Sequence, residues 1–388
     1  MFQTQAPGRV RRYLDHAATS WPKPPEVLAA WERAARDLGA TAGRAGYREA
    51  LEADAIRGRA RMEAARLLGG VSPARVALPA GCTLALNMAI HGLVAPGDHV
   101  IATAADHNAT LRPLRSLEAR GDARLTIVPC DAVGRVDPGD VAAAWLPETR
   151  FVVCSHVSNV TGAVQDTAAL AAIAHDRGGL LVLDAAQSLG QVPATVPGWG
   201  ADVVAAPAHK WLHGTAGAAL LWMREDLEPK AMVQGGTGTA SDSLDMPEAF
   251  TERLEAGTPD VPALAALVAA AGWLESRPEA AGGGPGRGLA AACAARLATI
   301  RGVRVAAAPQ GAPIVSFAVE GYDPADVAAV LEQAAGVQVR SGWHCAALVH
   351  RHLGTGRGGS VRASFGPFNT GADVDAIVSV VESLVTAG

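Results

Sequence analysis

Leu180-Leu-Val-Leu-Asp184-Ala-Ala-Gln187, followed by Asp202-Val-Val-Ala-Ala-Pro-Ala-His209-Lys210, decides how this chain is read. Each stretch begins as a short apolar run and ends in polar, chemically active residues. Runs of this length without alternation read as strands buried on both faces, which implies a parallel sheet covered by helices. Similar runs recur outward at 100–103, 124–128 and 150–154. Ala-rich amphipathic stretches lie among them at 25–38, 51–68, 83–91 and 167–176. This alternation predicts βαβ units, an α/β fold class and functional loops at the carboxyl ends of the strands.

Past Gly257 the texture changes. A helical stretch at 261–274 is followed by Pro278-Glu-Ala-Ala-Gly-Gly-Gly-Pro-Gly-Arg-Gly288, the most loop-like segment of the chain. No strand precedes that glycine-rich run, so it is not read as a phosphate site. Helix, strand, strand, helix and strand signals come next, with a last helix at 373–386. The chain has 388 residues, more than one core usually serves. The expected division is a large domain over 21–256 and a smaller α+β domain built from 1–20 and 257–388.

Composition narrows the function classes. Hydrophobic residues make up 49% and charged residues 18%, which fits a packed protein rather than a disordered one. A net charge of -5 excludes the concentrated basic face that nucleic acid needs. The cluster Arg9, Arg11 and Arg12 reads as a solvated arm. No apolar run reaches membrane-spanning length, and the first residues lack the apolar core of a secretory signal, so the expected location is the cytoplasm. Cys82, Cys130, Cys154, Cys293 and Cys345 are odd in number and form no C-x-x-C pair. Neither a disulfide framework nor a metal cluster is suggested.

Four features carry chemistry. A carboxylate at a strand end, as Asp184 would be, can keep a pyridinium nitrogen protonated; it can equally cap the next helix. Lys210 closes the following strand at the same sheet edge, where a desolvated amine forms Schiff bases; a merely exposed lysine is the plainer alternative. Pro79-Ala-Gly81-Cys82-Thr83 opens a helix whose free N–H groups suit an anion, with or without Thr83 as N-cap. In Asp106-His107-Asn108, His107 could lie flat on an aromatic cofactor or be a polar loop residue.

Taken in order, Asp184, Gln187 and His209-Lys210 resemble the class V aminotransferase group of fold-type I pyridoxal-phosphate (PLP) enzymes. The resemblance runs along nearly the whole chain, through Tyr13-Leu-Asp15-His-Ala17-Ala-Thr19-Ser-Trp-Pro22-Lys-Pro24, Ser158-Asn159-Val-Thr-Gly162 and Arg253-Leu-Glu-Ala-Gly257-Thr258-Pro259. It ends in Arg340-Ser-Gly-Trp-His344-Cys345-Ala346 and Val361-Arg362-Ala-Ser-Phe-Gly-Pro-Phe-Asn369-Thr370. The ending is similar to the cysteine desulfurase and selenocysteine lyase group with the short Arg-x-Gly-x-His-Cys loop.

The resemblance implies a mainly parallel seven-stranded sheet in the large domain and a homodimer with shared active sites. It implies that Lys210 binds the cofactor and shuttles protons, Asp184 holds the ring nitrogen and Gln187 the ring hydroxyl oxygen. His107 would stack on the ring and Asn159 would lie beside its hydroxyl and the substrate. Gly81, Cys82, Thr83 and His209 would take the phosphate, with Thr258 reaching the phosphate of the partner subunit. Arg362 would clamp the substrate carboxylate, with Arg340 nearby. Cys345 would attack the sulfur of L-cysteine, leaving L-alanine and a persulfide for an acceptor protein; His344 is a candidate activator of its thiol.

Departures fall near the pocket. Leu84 stands where the family carries an acid, Cys82 where Ala or Thr is usual, His16 where Asn, Ser or Tyr is commoner, Tyr47 in place of a His and Pro207 in place of a small hydroxyl residue. They keep the alternative open: a related PLP enzyme (selenocysteine lyase, C–S lyase, epimerase or aminotransferase) acting on selenocysteine or another amino acid without Cys345 as nucleophile. A non-catalytic scaffold is a third reading.

Overall fold

The computed structural model describes residues 10–387 except 44, 193–194, 281–283, 307–310 and 356–357. Arg9, Arg44 and the middle of the glycine-rich 278–288 segment therefore lie outside the described residues. In chain order the strands are β1 (Arg12–Tyr13), β2 (Val76–Ala77), β3 (Asp98–Thr103), β4 (Ala123–Val128), β5 (Thr149–Ser155), β6 (Leu180–Asp184) and β7 (Val203–Pro207). They continue with β8 (Ala219–Met223), β9 (Val303–Ala306), β10 (Ile314–Val319), β11 (Val337–Gln338), β12 (Arg340–Gly342) and β13 (Ser360–Ser364).

Seven strands form the large sheet in the order β2-β8-β7-β6-β5-β3-β4. All its pairings are parallel except those of β8. The central strands β6, β7 and β8 are apolar on both faces because helices cover both sides. One face packs with Leu181, Leu183, Val204 and Trp199, the other with Val182, Val203, Leu86 and Ile90. Asp166 and Asp260 cap the helices Thr167–His175 and Val261–Ser276 by accepting from Ala169 N and Ala263 N, both at 3.0 Å.

A four-stranded antiparallel sheet, β12-β13-β10-β9, carries a separate core that includes Leu14, Phe317, Phe365 and Ile377. The helix Val261–Ser276 packs its Val261, Leu264 and Leu267 into the large core. We therefore propose that the two bodies part after this helix, near Arg277, rather than at Gly257.

Two expectations are corrected. Arg11 and Arg12 do not belong to a free arm: β1 pairs with β11, Arg12 Nη1 donates to Ala335 O at 2.7 Å, and Arg11, though exposed, lies 3.6 Å above the Trp21 ring. The segment 278–288 is not all loop, because a helix starts at Gly284 (Gly284–Leu297). Pro285 stands in its first turn, where a missing N–H is harmless. Gly286 is small because a Cβ there would meet Phe365 O at 2.5 Å. Among the described residues no helix is long and apolar enough to cross a membrane.

Candidate active site

The carboxyl ends of β3, β5, β6 and β7 bring the site together, as a parallel sheet requires. Asp184, the last residue of β6, is buried and its Oδ1 accepts from Ala186 N at 2.9 Å. The Cys82 thiol stands 3.9 Å from the same oxygen. Burial raises the Asp184 pKa, opposed by the Ala186 hydrogen bond and the charge of Lys210. Lys210 follows β7 in the next turn. Burial lowers its pKa, with the Asp184 carboxylate opposing, so the amine is held toward its neutral, nucleophilic form.

His107 caps the helix Asn108–Ala119: its Nδ1 accepts from Ala109 N at 2.9 Å. That bond puts the neutral ring's proton on Nε2. Burial, then the charge of Lys210, pushes its pKa down to about 4. Asp106 fixes where this residue leaves the sheet. Its carboxylate accepts from Thr103 N at 2.7 Å and Ser155 N at 2.5 Å, tying the ends of β3 and β5 together. Burial pushes the Asp106 pKa up to about 7. The sequence shows Asp106 beside His107 but not its partners.

A cavity is lined by Cys82, Thr83, His107, Asn159, Asp184, Gln187 and Lys210, with Ser155 added by the structure. Gly81 is the N-cap of the Cys82–Leu93 helix, whose first turn carries no side-chain cap. Cys82 and Thr83 of this first turn line the same cavity, and a helix start of this kind suits an anion. Trp211 Nε1 donates to Gln187 Oε1 at 2.6 Å, and Gln187 Nε2 donates to Ala17 O at 2.8 Å, so this amide is fixed in orientation. His209 does not line the cavity; its Nδ1 lies 3.1 Å from Thr19 Oγ1. Thr258 lines a different cavity with Gly217 and Asp260.

The second body supplies two arginines and a thiol. Arg340 on β12 stands directly opposite Arg362 on β13. Arg362 is 1% exposed; Nη1 donates to Asn159 O at 3.0 Å and Nη2 to Asp15 Oδ1 at 2.7 Å. Its Nε has no partner among the described residues. Cys345 is exposed, and Arg340 Nη2 lies 3.6 Å from its Sγ. His344 and Cys345 are left-handed, with φ of 50° and 59°, a conformation that costs non-glycine residues strain. Their carbonyls hold them there: Asn159 Nδ2 donates to His344 O and Asn108 N to Cys345 O, both at 2.7 Å. The His344 ring is buried against Ser360, 3.1 Å from its carbonyl and hydroxyl oxygens, and burial lowers its pKa to about 2. It is neutral, and the cation facing the thiol is Arg340. Cys130, Cys154 and Cys293 are buried, as expected.

The chain is similar to known proteins along nearly its whole length. The family profile described as Aminotransferase class-V matches residues 12–377. A probable cysteine desulfurase of Methanothermobacter thermautotrophicus is 32% identical over 97% of this chain and 95% of its own. The cysteine desulfurase CsdA of Escherichia coli is 30% identical over 95% of this chain and 93% of its own. Among solved structures, the apo cysteine desulfurase of Thermococcus onnurineus NA1 superposes with a TM-score of 0.89 at 28% identity, covering 97% of this chain and 95% of that one.

Proposed function

The chain belongs to the class V aminotransferase family, and on that premise we propose that it is a PLP-dependent cysteine desulfurase. It converts L-cysteine to L-alanine and forms a persulfide on Cys345 for an acceptor protein. The observation that carries the reading is that hydrogen bonds tie Arg362 and His344 to Asn159, a wall of the cavity lined by Lys210 and Asp184, and Cys345 to Asn108 next to His107 of that wall.

The residues fit the cofactor. The cavity offers an amine for an aldehyde, an acid for a ring nitrogen, an imidazole for a ring face, amides for a phenolic oxygen and an uncapped helix start for a phosphate. Lys210, Asp184, His107, Gln187, Asn159 and Gly81 to Thr83 would hold it, and Thr258 would serve the site of the partner subunit. Bound there, PLP supplies an electron sink that labilises bonds at the substrate carbon atoms.

The protein does the rest. Arg362 receives the substrate carboxylate and Arg340 stands beside it. Lys210, whose amine burial shifts toward the neutral form, would take the proton from the substrate α-carbon and return protons later. Asp184 would face the ring nitrogen, and His107, its pKa lowered by burial to about 4, would pack over the ring. The Cys345 thiolate attacks the substrate sulfur: the S–S bond forms as the C–S bond breaks. The electron pair left on carbon is protonated, and alanine departs. No external oxidant or reductant is needed, because sulfur moves from one thiol to the other. The five free cysteines fit a reducing compartment, the cytoplasm, and exposed Leu28, Trp31, Leu51 and Met62 on neighbouring helices suit a homodimer.

The test adds L-cysteine to cofactor-loaded protein and reads intact mass, mapped peptides and alanine. One added sulfur on Cys345 with matching alanine is expected. Cys345→Ala should keep the cofactor absorption and lose persulfide. Full desulfuration by that variant in the presence of reductant would discard Cys345 as nucleophile.

A further inference from the structure

Asp15 and Arg362 lie 347 positions apart in sequence, yet their side chains meet at 2.7 Å. We propose that Asp15 is a positioning residue that shares Arg362 with the substrate carboxylate. It aligns the guanidinium in the empty site, weakens the grip on substrate and product alike, and takes the arginine back as L-alanine leaves. The inference rests on the reading above that Arg362 receives the carboxylate.

The surroundings support this role. Arg340 and Arg362 are register partners on adjacent antiparallel strands, a position where like charges repel. Arg362 is buried, and burial disfavours its charged form while Asp15 restores it. A guanidinium carries five N–H donors. Here Nη2 goes to Asp15, Nη1 to the Asn159 carbonyl, and Nε has no partner among the described residues, so part of the fork is left for a second carboxylate.

Asp15 is built to point at this arginine. Its own carbonyl accepts from Ala18 N at 3.0 Å and Thr19 N at 3.3 Å, and a parallel bridge fixes its backbone beside Ser364 of β13. Its side chain is 22% exposed, against 1% for Arg362, so the pair reaches solvent on the Asp15 side. A carboxylate that arrives at Arg362 meets a neutral pair rather than a lone cation, and it meets the Asp15 charge as well. An adjacent charge of this kind shifts a carboxylate's affinity by about tenfold or more.

The experiment uses holoprotein of the parent, Asp15→Asn, Asp15→Ser and Asp15→Glu. L-alanine is titrated while the cofactor absorption is followed, and KM and kcat for L-cysteine are measured alongside. The uncharged variants should bind L-alanine about tenfold tighter and lower KM by a similar factor. Asp15→Glu, which keeps the charge, should stay within about threefold of the parent. A structural ion pair would not tighten product binding. Unchanged or weaker alanine binding in the uncharged variants, or loss of the cofactor absorption by both, would overturn the proposal. The alanine titration needs no desulfuration. Absence of persulfide on Cys345 in the parent would therefore count against the functional reading alone.

Discussion

At the scale of single residues, the site depends on opposed pKa shifts. Burial pushes Asp184 up and Lys210 down, and each partly restores the charge of the other. Replacing Asp184 by Asn keeps the shape and removes the charge that would hold a ring cation. Cofactor absorption should persist while kcat falls on the order of 100-fold or more, as when a preorganised electrostatic partner is removed; an unchanged kcat would show that the ring nitrogen needs no acid. The lysine, the acid, the histidine and the exposed thiol were legible in the sequence because each ends an apolar run or sits in a recognisable ordered motif. Asp15, Asp106 and Trp211 were not assigned roles. Their partners, Arg362, Ser155 and Gln187, come from other elements, and no local pattern records such pairings. Sequence adjacency left His344 open as an activator of Cys345; its ring turns instead to Ser360.

At the scale of elements, apolar runs and helix periodicity placed five of the seven strands of the large sheet, missing β2 and β8. The strand read at 180–184 is β6 without change, and the helix read at 261–274 runs over Val261–Ser276. The 278–288 segment was misjudged because glycine and proline weigh against helix by propensity, whereas the helix from Gly284 packs its Gly286 closely against Phe365, just past β13. The turn after β5 supports a sharper expectation. Gly162 has φ 76°, and a Cβ there would meet Ala312 O at 2.7 Å. Gly162→Ala should therefore destabilise the protein by about 1–3 kcal/mol in denaturant unfolding. It should also loosen the neighbouring Asn159, seen as weaker cofactor retention. A stable variant with normal retention would show that the turn tolerates a side chain.

At the scale of the whole molecule, the buried histidines make folding sensitive to acid. His16, His107, His156 and His209 are pushed down to about 4, His213 to about 3 and His344 to about 2, burial being the largest cause in each. Their unfolded value is about 6.5, so between these limits the unfolded chain binds more protons than the folded one. Stability contributed by keeping these rings neutral is full above about pH 6.5 and is lost as pH falls toward 4 and below. Thermal unfolding followed from about pH 7.5 to about pH 5 should show a steep fall in Tm. A flat profile over that range would mean that the rings are solvated in the folded protein.

The loop that carries Cys345 has a practical consequence. Cys82, Cys130, Cys154 and Cys293 are buried or half-buried with thiol pKa values raised by desolvation, whereas Cys345 stands in solvent on a backbone pinned from within. Alkylating reagents consume thiolate, so one equivalent is directed to that position before any other. The chain thus offers a ready attachment point for a fluorophore or spin label, and the uptake of reagent counts competent molecules in a preparation.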